Sequence, residues 1–269
     1  IKNKNNVIPV KLDTESILNV QFGNADGILF NDYLNKYRSI RSIKASDINT
    51  NNLNSLLANH KLLIVSFHMK SDTPWGNMNK KFSLKEQDIL KTIDEHNNKI
   101  LASFTNPYAL SQINLKSYNS VLVGFQNNHE FQKIIAQQIF GAKEIKGTLP
   151  VSINDTFKEG AGIILKNLNI LSYADPEMVG VDSKKLNKID SLINFAIENK
   201  MTPGAQILVA KNSKIIYDKS FGKLRYDENL QTNPETIYDL ASLTKILVTT
   251  PIIMNLVDKK VINLETRLK

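Results

Sequence analysis

The 269-residue chain contains no cysteine, which excludes disulfides and thiolate metal sites. Its four histidines (His60, His68, His96 and His129) show none of the short spacings that metal ligands favour, so no protein metal site and no cofactor are expected. The missing cysteine does not fix a compartment, since both oxidising and reducing environments tolerate it. Tryptophan occurs once and aromatic residues make up 7%. Lysines are scattered among Asp and Glu with no stacking aromatics between them, so the net charge of +8 reads as a solvated basic surface and no nucleic-acid partner is expected. No run approaches the roughly 18 consecutive apolar residues of a membrane span, so none is expected in the visible chain. Residues 1–10 lack a charged segment followed by an apolar one, so no signal peptide is visible. The chain has no initiating Met, and 263–269 stop directly after a helical pattern, so both ends are expected to be cut edges.

What is present is 42% hydrophobic residues, enough for a buried core. From residue 16 to about 153, short apolar runs alternate with amphipathic stretches, the pattern of βαβ units. Strands are predicted at 16–21, 62–67, 100–104 and 121–125, each almost wholly apolar, as parallel strands covered on both faces are. Helices are predicted at 51–59, 84–97, 109–115 and 130–140. The second opens on a capping box, Ser83 and Glu86. The third starts near Asn106-Pro107, where Pro suits a first helical turn. The expected fold class is α/β, a three-layer, mostly parallel sheet of flavodoxin-like kind.

Residues 166–180 have no clear period and contain Asp175-Pro176, so they read as linker. Beyond it, Asp182-Ser183 caps a predicted helix at 184–199. Strands at 205–210 and 215–221 follow, joined by the turn Lys211-Asn212-Ser213-Lys214. A looped stretch then leads to a helix carrying Ser242-Leu243-Thr244-Lys245.

In Ser-x-x-Lys the two residues share one helical face, so the Lys245 amine reaches the Ser242 hydroxyl. A serine hydroxyl needs a base to become a nucleophile. A lysine serves once burial and the positive end of a helix dipole disfavour its charge. The backbone N–H of Ser242 at such a helix start would form half of an oxyanion hole. The competing reading makes Ser242 a helix cap with Lys245 directed to solvent.

Context adds two resemblances. Asn106-Pro107-Tyr108-Ala109-Leu110, Gln137-Gln138-Ile139-Phe140-Gly141, Gly147-Thr148-Leu149-Pro150-Val151-Ser152-Ile153 and Gly160-Ala161-Gly162-Ile163, in that order, resemble the second, C-terminal domain of family 3 glycoside hydrolases. The likeness spans residues 1–165 and implies a partner barrel, outside this chain, that supplies the aspartate nucleophile. In the β-glucosidase branch the second domain donates a Glu from a loop, whereas the corresponding loop at 69–82 contains Asp72, Lys70, Lys80 and Lys81 but no Glu. That departure resembles the β-N-acetylglucosaminidase type. Trp75 in this loop suits packing against a neighbouring domain better than sugar stacking, and His68, ending a buried strand, reads as structural. Neither is assigned to a site.

Pro203-Gly204-Ala205, Phe221-Gly222 and 236–245 resemble the opening of serine β-lactamases of class C and of D,D-peptidases, and 256–264 continue that pattern. The resemblance implies that Ser242 is nucleophile and Lys245 base, and that residues 181–269 are the N-terminal part of an incomplete α+β domain. The family's Tyr-x-Asn element and third motif are not assignable, so the fragment alone is expected to lack turnover. Together the resemblances imply a bifunctional cell-envelope hydrolase, periplasmic or secreted. Its substrates would be peptidoglycan-type saccharides and peptides. Its partners would be the missing N-terminal barrel and C-terminal remainder of the same chain. The alternative is a non-catalytic carbohydrate-contacting or scaffolding domain with an inactive β-lactamase-like segment. A nucleotide-binding module lacks a Gly-rich phosphate loop after the first strand.

Overall fold

In a computed structural model of the chain, residues 1–70, 82–265 and 267 are described. Asp72, Trp75, Lys80 and Lys81 of the loop discussed above lie outside them. The chain divides into two compact units, Ile1–Ala174 with Ala210–Ile215, and Asp175–Val209 with Ile216–Lys269.

The first unit is built on a six-stranded sheet. Its strands are β1 (Lys2–Asn3), β2 (Ile17–Gly23), β3 (Arg41–Lys44), β4 (Leu62–His68), β5 (Lys99–Phe104) and β6 (Ser120–Val123). The order is β1-β6-β5-β4-β2-β3, with β1 antiparallel and the others parallel. Every residue of β4 and β5 is buried, which is why both read as continuous apolar runs. Helices α1 (Ile28–Asn35), α2 (Leu53–Ala58), α3 (Leu84–Asp94) and α4 (His129–Ile139) complete the layers. One apolar core joins Val65, Leu101, Ile89 and Ile93; a second joins Ile64, Ile100, Phe30 and Ile135. The α/β expectation therefore describes this unit.

Several elements differ from the sequence reading. The helix predicted at 109–115 is a 3₁₀ helix, Pro107–Gln112, with Asn106 accepting the Tyr108 N–H. It stops at Ile113, whose backbone is extended. Helix α1 and strand β3 went unpredicted: α1 has only eight residues, three of them Asn or Asp, and β3 is a polar edge strand. The stretch read as linker contains β7 (Ser172–Tyr173), which runs parallel to Lys214 and Ile215, and a 3₁₀ helix, Pro176–Val179. The capping box is present with both arms, Glu86 N–H to Ser83 Oγ and Ser83 N–H to Glu86 Oε2.

The chain reverses direction across the sheet between β2 and β4. There Gly23 pairs with His68 at φ +111°, and a Cβ would fall 2.0 Å from the His68 carbonyl oxygen, so only glycine fits. Ala25 N–H donates to that carbonyl at 3.0 Å.

In the second unit, Asp182 accepts the Lys184 N–H and starts α5 (Ser183–Glu198). The hairpin of β8 (Gly204–Lys211) and β9 (Lys214–Gly222), whose tip at Ala210–Ile215 is counted with the first unit, turns on Asn212 and Ser213, both at positive φ, as a two-residue type I′ turn requires. Asp190 of α5 accepts from Tyr217 Oη at 2.9 Å and from Lys219 Nζ at 2.9 and 3.0 Å, which ties the helix to β9.

Candidate active site

The helix predicted to carry Ser-x-x-Lys is three pieces end to end: a 3₁₀ turn at Ala241–Leu243, a π-helical segment at Lys245–Thr249, and α6 (Thr250–Asp258). The physical cause lies at Pro251, which has no N–H and so cannot donate to the Leu247 carbonyl. The preceding turn widens so that the Thr250 N–H meets the Lys245 carbonyl five residues back, and Thr250 Oγ1 donates to the same oxygen at 2.9 Å. A proline six residues past the motif lysine is the sequence signal for this break.

Ser242 and Lys245 are brought together: Lys245 Nζ donates to Ser242 Oγ at 3.2 Å. Neither the 3₁₀ turn nor the segments after it have a side-chain N-cap, so Ser242 does not serve as a cap. Just before the pair, Asp239 Oδ1 accepts the Ala241 N–H at 2.9 Å and the Leu243 N–H meets the Leu240 carbonyl at 2.8 Å. Ala241 sits at φ +42°, an uncommon value for a residue with a Cβ. Asp239 and Ala241 thus shape the turn that presents Ser242, a role invisible in the spacing of the motif.

The surroundings differ from the expected burial. Both Ser242 and Lys245 are exposed. The apolar residues of the same segment are also exposed, among them Leu243, Ile246, Leu247, Ile252 and Ile253. Ala241–Asp258 is long and apolar enough by composition to cross a membrane, with a mean hydropathy of 1.2 over 18 residues. Ser242, Thr244, Lys245, Thr249, Thr250 and Asn255 interrupt the segment, so it contains no unbroken apolar run. Core helices of soluble domains reach the same values, and this one carries polar chemistry at its start. A cleft of about 650 Å³ lies nearby in sequence, lined by Pro203, Gly204, Thr232, Ile237 and Asp239, but not by Ser242. Gly222, at φ +68°, approaches the Pro203 carbonyl so closely that a Cβ would lie 2.3 Å from it; this contact underlies the paired Pro-Gly and Phe-Gly motifs.

In the first unit, His68 is buried and stacked on Phe104, ring centroids 4.6 Å apart. Its Nδ1 lies 2.9 Å from Asn127 Oδ1, which also accepts from Gln132 Nε2 at 3.0 Å; an acceptor there assigns the proton to Nδ1. Nε2 has no hydrogen-bond partner among the described residues. Burial pushes His68 down to about 4, against a smaller upward effect of the Asn127 hydrogen bond. This is a neutral histidine held by packing. Among the described residues no group of three His, Cys, Asp or Glu side chains is disposed to hold a metal ion.

Residues 190–269, which include Ser242 and Lys245, match the family model described as Beta-lactamase. A protein of Salmonella enteritidis PT4 described as "Putative D-alanyl-D-alanine carboxypeptidase" is 32% identical over 112 residues, covering 39% of this chain and 25% of the relative. A protein of the same description from Salmonella gallinarum shows the same identity and coverage. The chain spans about a quarter of the length of the curated relatives it matches. Among solved structures, a fungal multi-domain GH3 β-N-acetylglucosaminidase with a glucosamine N-acetyltransferase region aligns with 52% of this chain and 16% of its own, at 16% identity. Its TM-score is 0.37, too low to carry an argument.

Proposed function

We propose that this chain belongs to a serine acyl hydrolase of the cell envelope, with Ser242 as nucleophile and Lys245 as its base. The observation that carries the reading is the 3.2 Å contact between Lys245 Nζ and Ser242 Oγ, inside the segment that matches the Beta-lactamase family. Once the amine is neutral, the contact reverses. Nζ takes the hydroxyl proton as Oγ attacks an acyl carbonyl, an acyl-enzyme forms, the leaving group takes the proton from Nζ, and water hydrolyses the ester. The exposed apolar side chains along Ala241–Asp258 support a covered helix in the intact protein, and that cover would supply the desolvation Lys245 needs. The carboxypeptidase description of the Salmonella relatives supports a D-alanyl peptide as the acyl substrate.

For residues 1–165 the proposal is the auxiliary domain of a family 3 glycoside hydrolase of the β-N-acetylglucosaminidase type, joined through 166–180 to the serine hydrolase segment at 181–269. Peptidoglycan contains both N-acetylated sugars and D-amino-acid peptides, so the pairing has one substrate polymer, met in the periplasm or outside the cell.

The test uses the natural full-length protein with a fluorescent penicillin, a chromogenic acyl substrate and a chromogenic N-acetylglucosaminide. Ser242→Ala should abolish covalent labelling and acyl hydrolysis while leaving sugar release intact. Lys245→Ala should slow acylation by about 10²–10⁴-fold, the usual range for a lost general base. Acyl hydrolysis that survives Ser242→Ala refutes the nucleophile. Absence of both activities favours a non-catalytic scaffold.

A further inference from the structure

The peptide unit between Leu240 and Ala241, immediately before Ser242, is held at both ends. Its carbonyl accepts the Leu243 N–H at 2.8 Å, and its N–H donates to Asp239 Oδ1 at 2.9 Å. In that orientation Ala241 has φ +42°, a value that is costly for a residue with a Cβ. A flip of this one peptide plane would return Ala241 to the ordinary negative range of φ, so backbone preference works against the observed turn. The flip would break the Leu243 bond, and with it the 3₁₀ turn Ala241–Leu243 that holds Ser242 Oγ 3.2 Å from Lys245 Nζ. The Thr244 N–H closes the same turn on the Ala241 carbonyl. Of these three bonds, only the one to Asp239 involves a side chain. Asp239 makes no ion pair among the described residues, although Lys223 and Glu235 line the same cleft, so the turn uses its acceptor oxygen and not its charge.

We propose that Asp239 is a positioning residue for acyl transfer: by fixing the Leu240–Ala241 peptide plane it sets the fraction of molecules in which Ser242 and Lys245 meet. The proposal rests on the reading of Ser242 as nucleophile, and adds a residue that touches neither the substrate nor the reacting atoms. A left-handed alanine is disfavoured by a factor of about 5–30 in population. Loss of the Asp239 bond lowers the population of the competent turn, and so the acylation rate, by a factor of that order, with noncovalent binding of the acyl donor unchanged. Glycine takes positive φ without this cost, so the dependence on Asp239 shrinks once Ala241 is replaced by glycine.

The natural full-length protein is labelled with a fluorescent penicillin under stopped flow, which separates the acylation rate from the preceding binding constant. Asp239→Ala should acylate about 5–30-fold more slowly at an unchanged binding constant. Asp239→Asn, which keeps Oδ1 as acceptor, should stay within about threefold of the natural rate. In an Ala241→Gly background, Asp239→Ala should cost less than about threefold. If Asp239→Ala does not fold, Asp239→Gln, whose acceptor lies one carbon further out, must show the same slowing. An unchanged rate in Asp239→Ala, an Asp239→Asn variant as slow as Asp239→Ala, or an equal loss in both backgrounds overturns the proposal. Failure of the nucleophile reading is seen separately, as label that persists in Ser242→Ala or is absent from the natural protein. The hold of Asp239 on the turn is then decided by NMR of the isotope-labelled chain. The amide-to-Hα coupling and Cβ shift of Ala241 must move from positive-φ to negative-φ values in Asp239→Ala and stay in place in Asp239→Asn; no movement overturns it.

Discussion

Lowering the pH should destabilise the first unit through His68 before its carboxylates matter. Buried against Phe104 and Phe30, the ring is neutral in the folded chain, with its proton affinity pushed from the ordinary 6.5 to about 4. The unfolded chain binds a proton below 6.5 that the folded chain refuses until about 4. The stabilisation is thus fully present above 6.5 and is lost as the pH falls towards about 4. At about 1.4 kcal/mol per unit, the difference amounts to about 3 kcal/mol, a large share of the 5–15 kcal/mol typical of a whole domain. Urea unfolding followed by circular dichroism, repeated from pH 7.5 to 4, measures it. His68→Asn keeps a donor towards Asn127 and removes the titrating group. The variant should be weaker at pH 7.5 through lost ring packing, yet nearly flat between 6.5 and 4.5, so the two curves converge. Parallel curves over that window would refute the assignment of a buried neutral imidazole.

Three further outcomes follow from contacts described above. Ser83→Ala removes one arm of the capping box and should cost about 1 kcal/mol, read as a lower urea midpoint with an unchanged slope. Gly23→Ala places a Cβ 2.0 Å from the His68 carbonyl at a φ hostile to alanine, so the loss should exceed the roughly 1 kcal/mol of an ordinary Gly-to-Ala strain and appear as low soluble yield or a much reduced melting temperature. Asp190→Ala unties Tyr217 and Lys219 from α5, and limited proteolysis should then cut within 183–198 faster while fragments of the first unit persist.

The legible parts of the fold were those whose cause is local. Strands β4 and β5 announce themselves because both faces are covered, and Ser83 with Glu86, Asp182, and Asn212-Ser213 are chemical signals read within four residues. Helix α1 was not legible: Phe30 and Leu34 are its only buried residues, and its cap residue, Gly27, contributes no side chain. Strand β3 alternates without strong apolar character because, among the described residues, one of its edges has no neighbouring strand. At the candidate site, the spacing of Ser242 and Lys245 foretells that they touch and leaves open whether Lys245 faces solvent, whereas the break in the helix has no counterpart in that spacing. The environment of His68 comes from Asn127, 59 residues away, and no local pattern encodes it.

The widened turn at Lys245–Thr249 changes how residues may be counted along this helix. A regular α-helix advances about 100° per residue, and a five-residue return takes in one residue more than a regular turn. Everything from Thr250 onward is therefore rotated by about 100° relative to Ser242 and Lys245, compared with an unbroken helix. A relative one residue shorter between Lys245 and Pro251, with a regular turn there, would aim α6 in the same direction. A single-residue gap at that place in a sequence comparison is thus spatially silent. Replacing Pro251 at constant length is the more disruptive change, because a helix that relaxed to regular pitch would swing Ile252, Ile253 and Met254 away from whatever surface receives them.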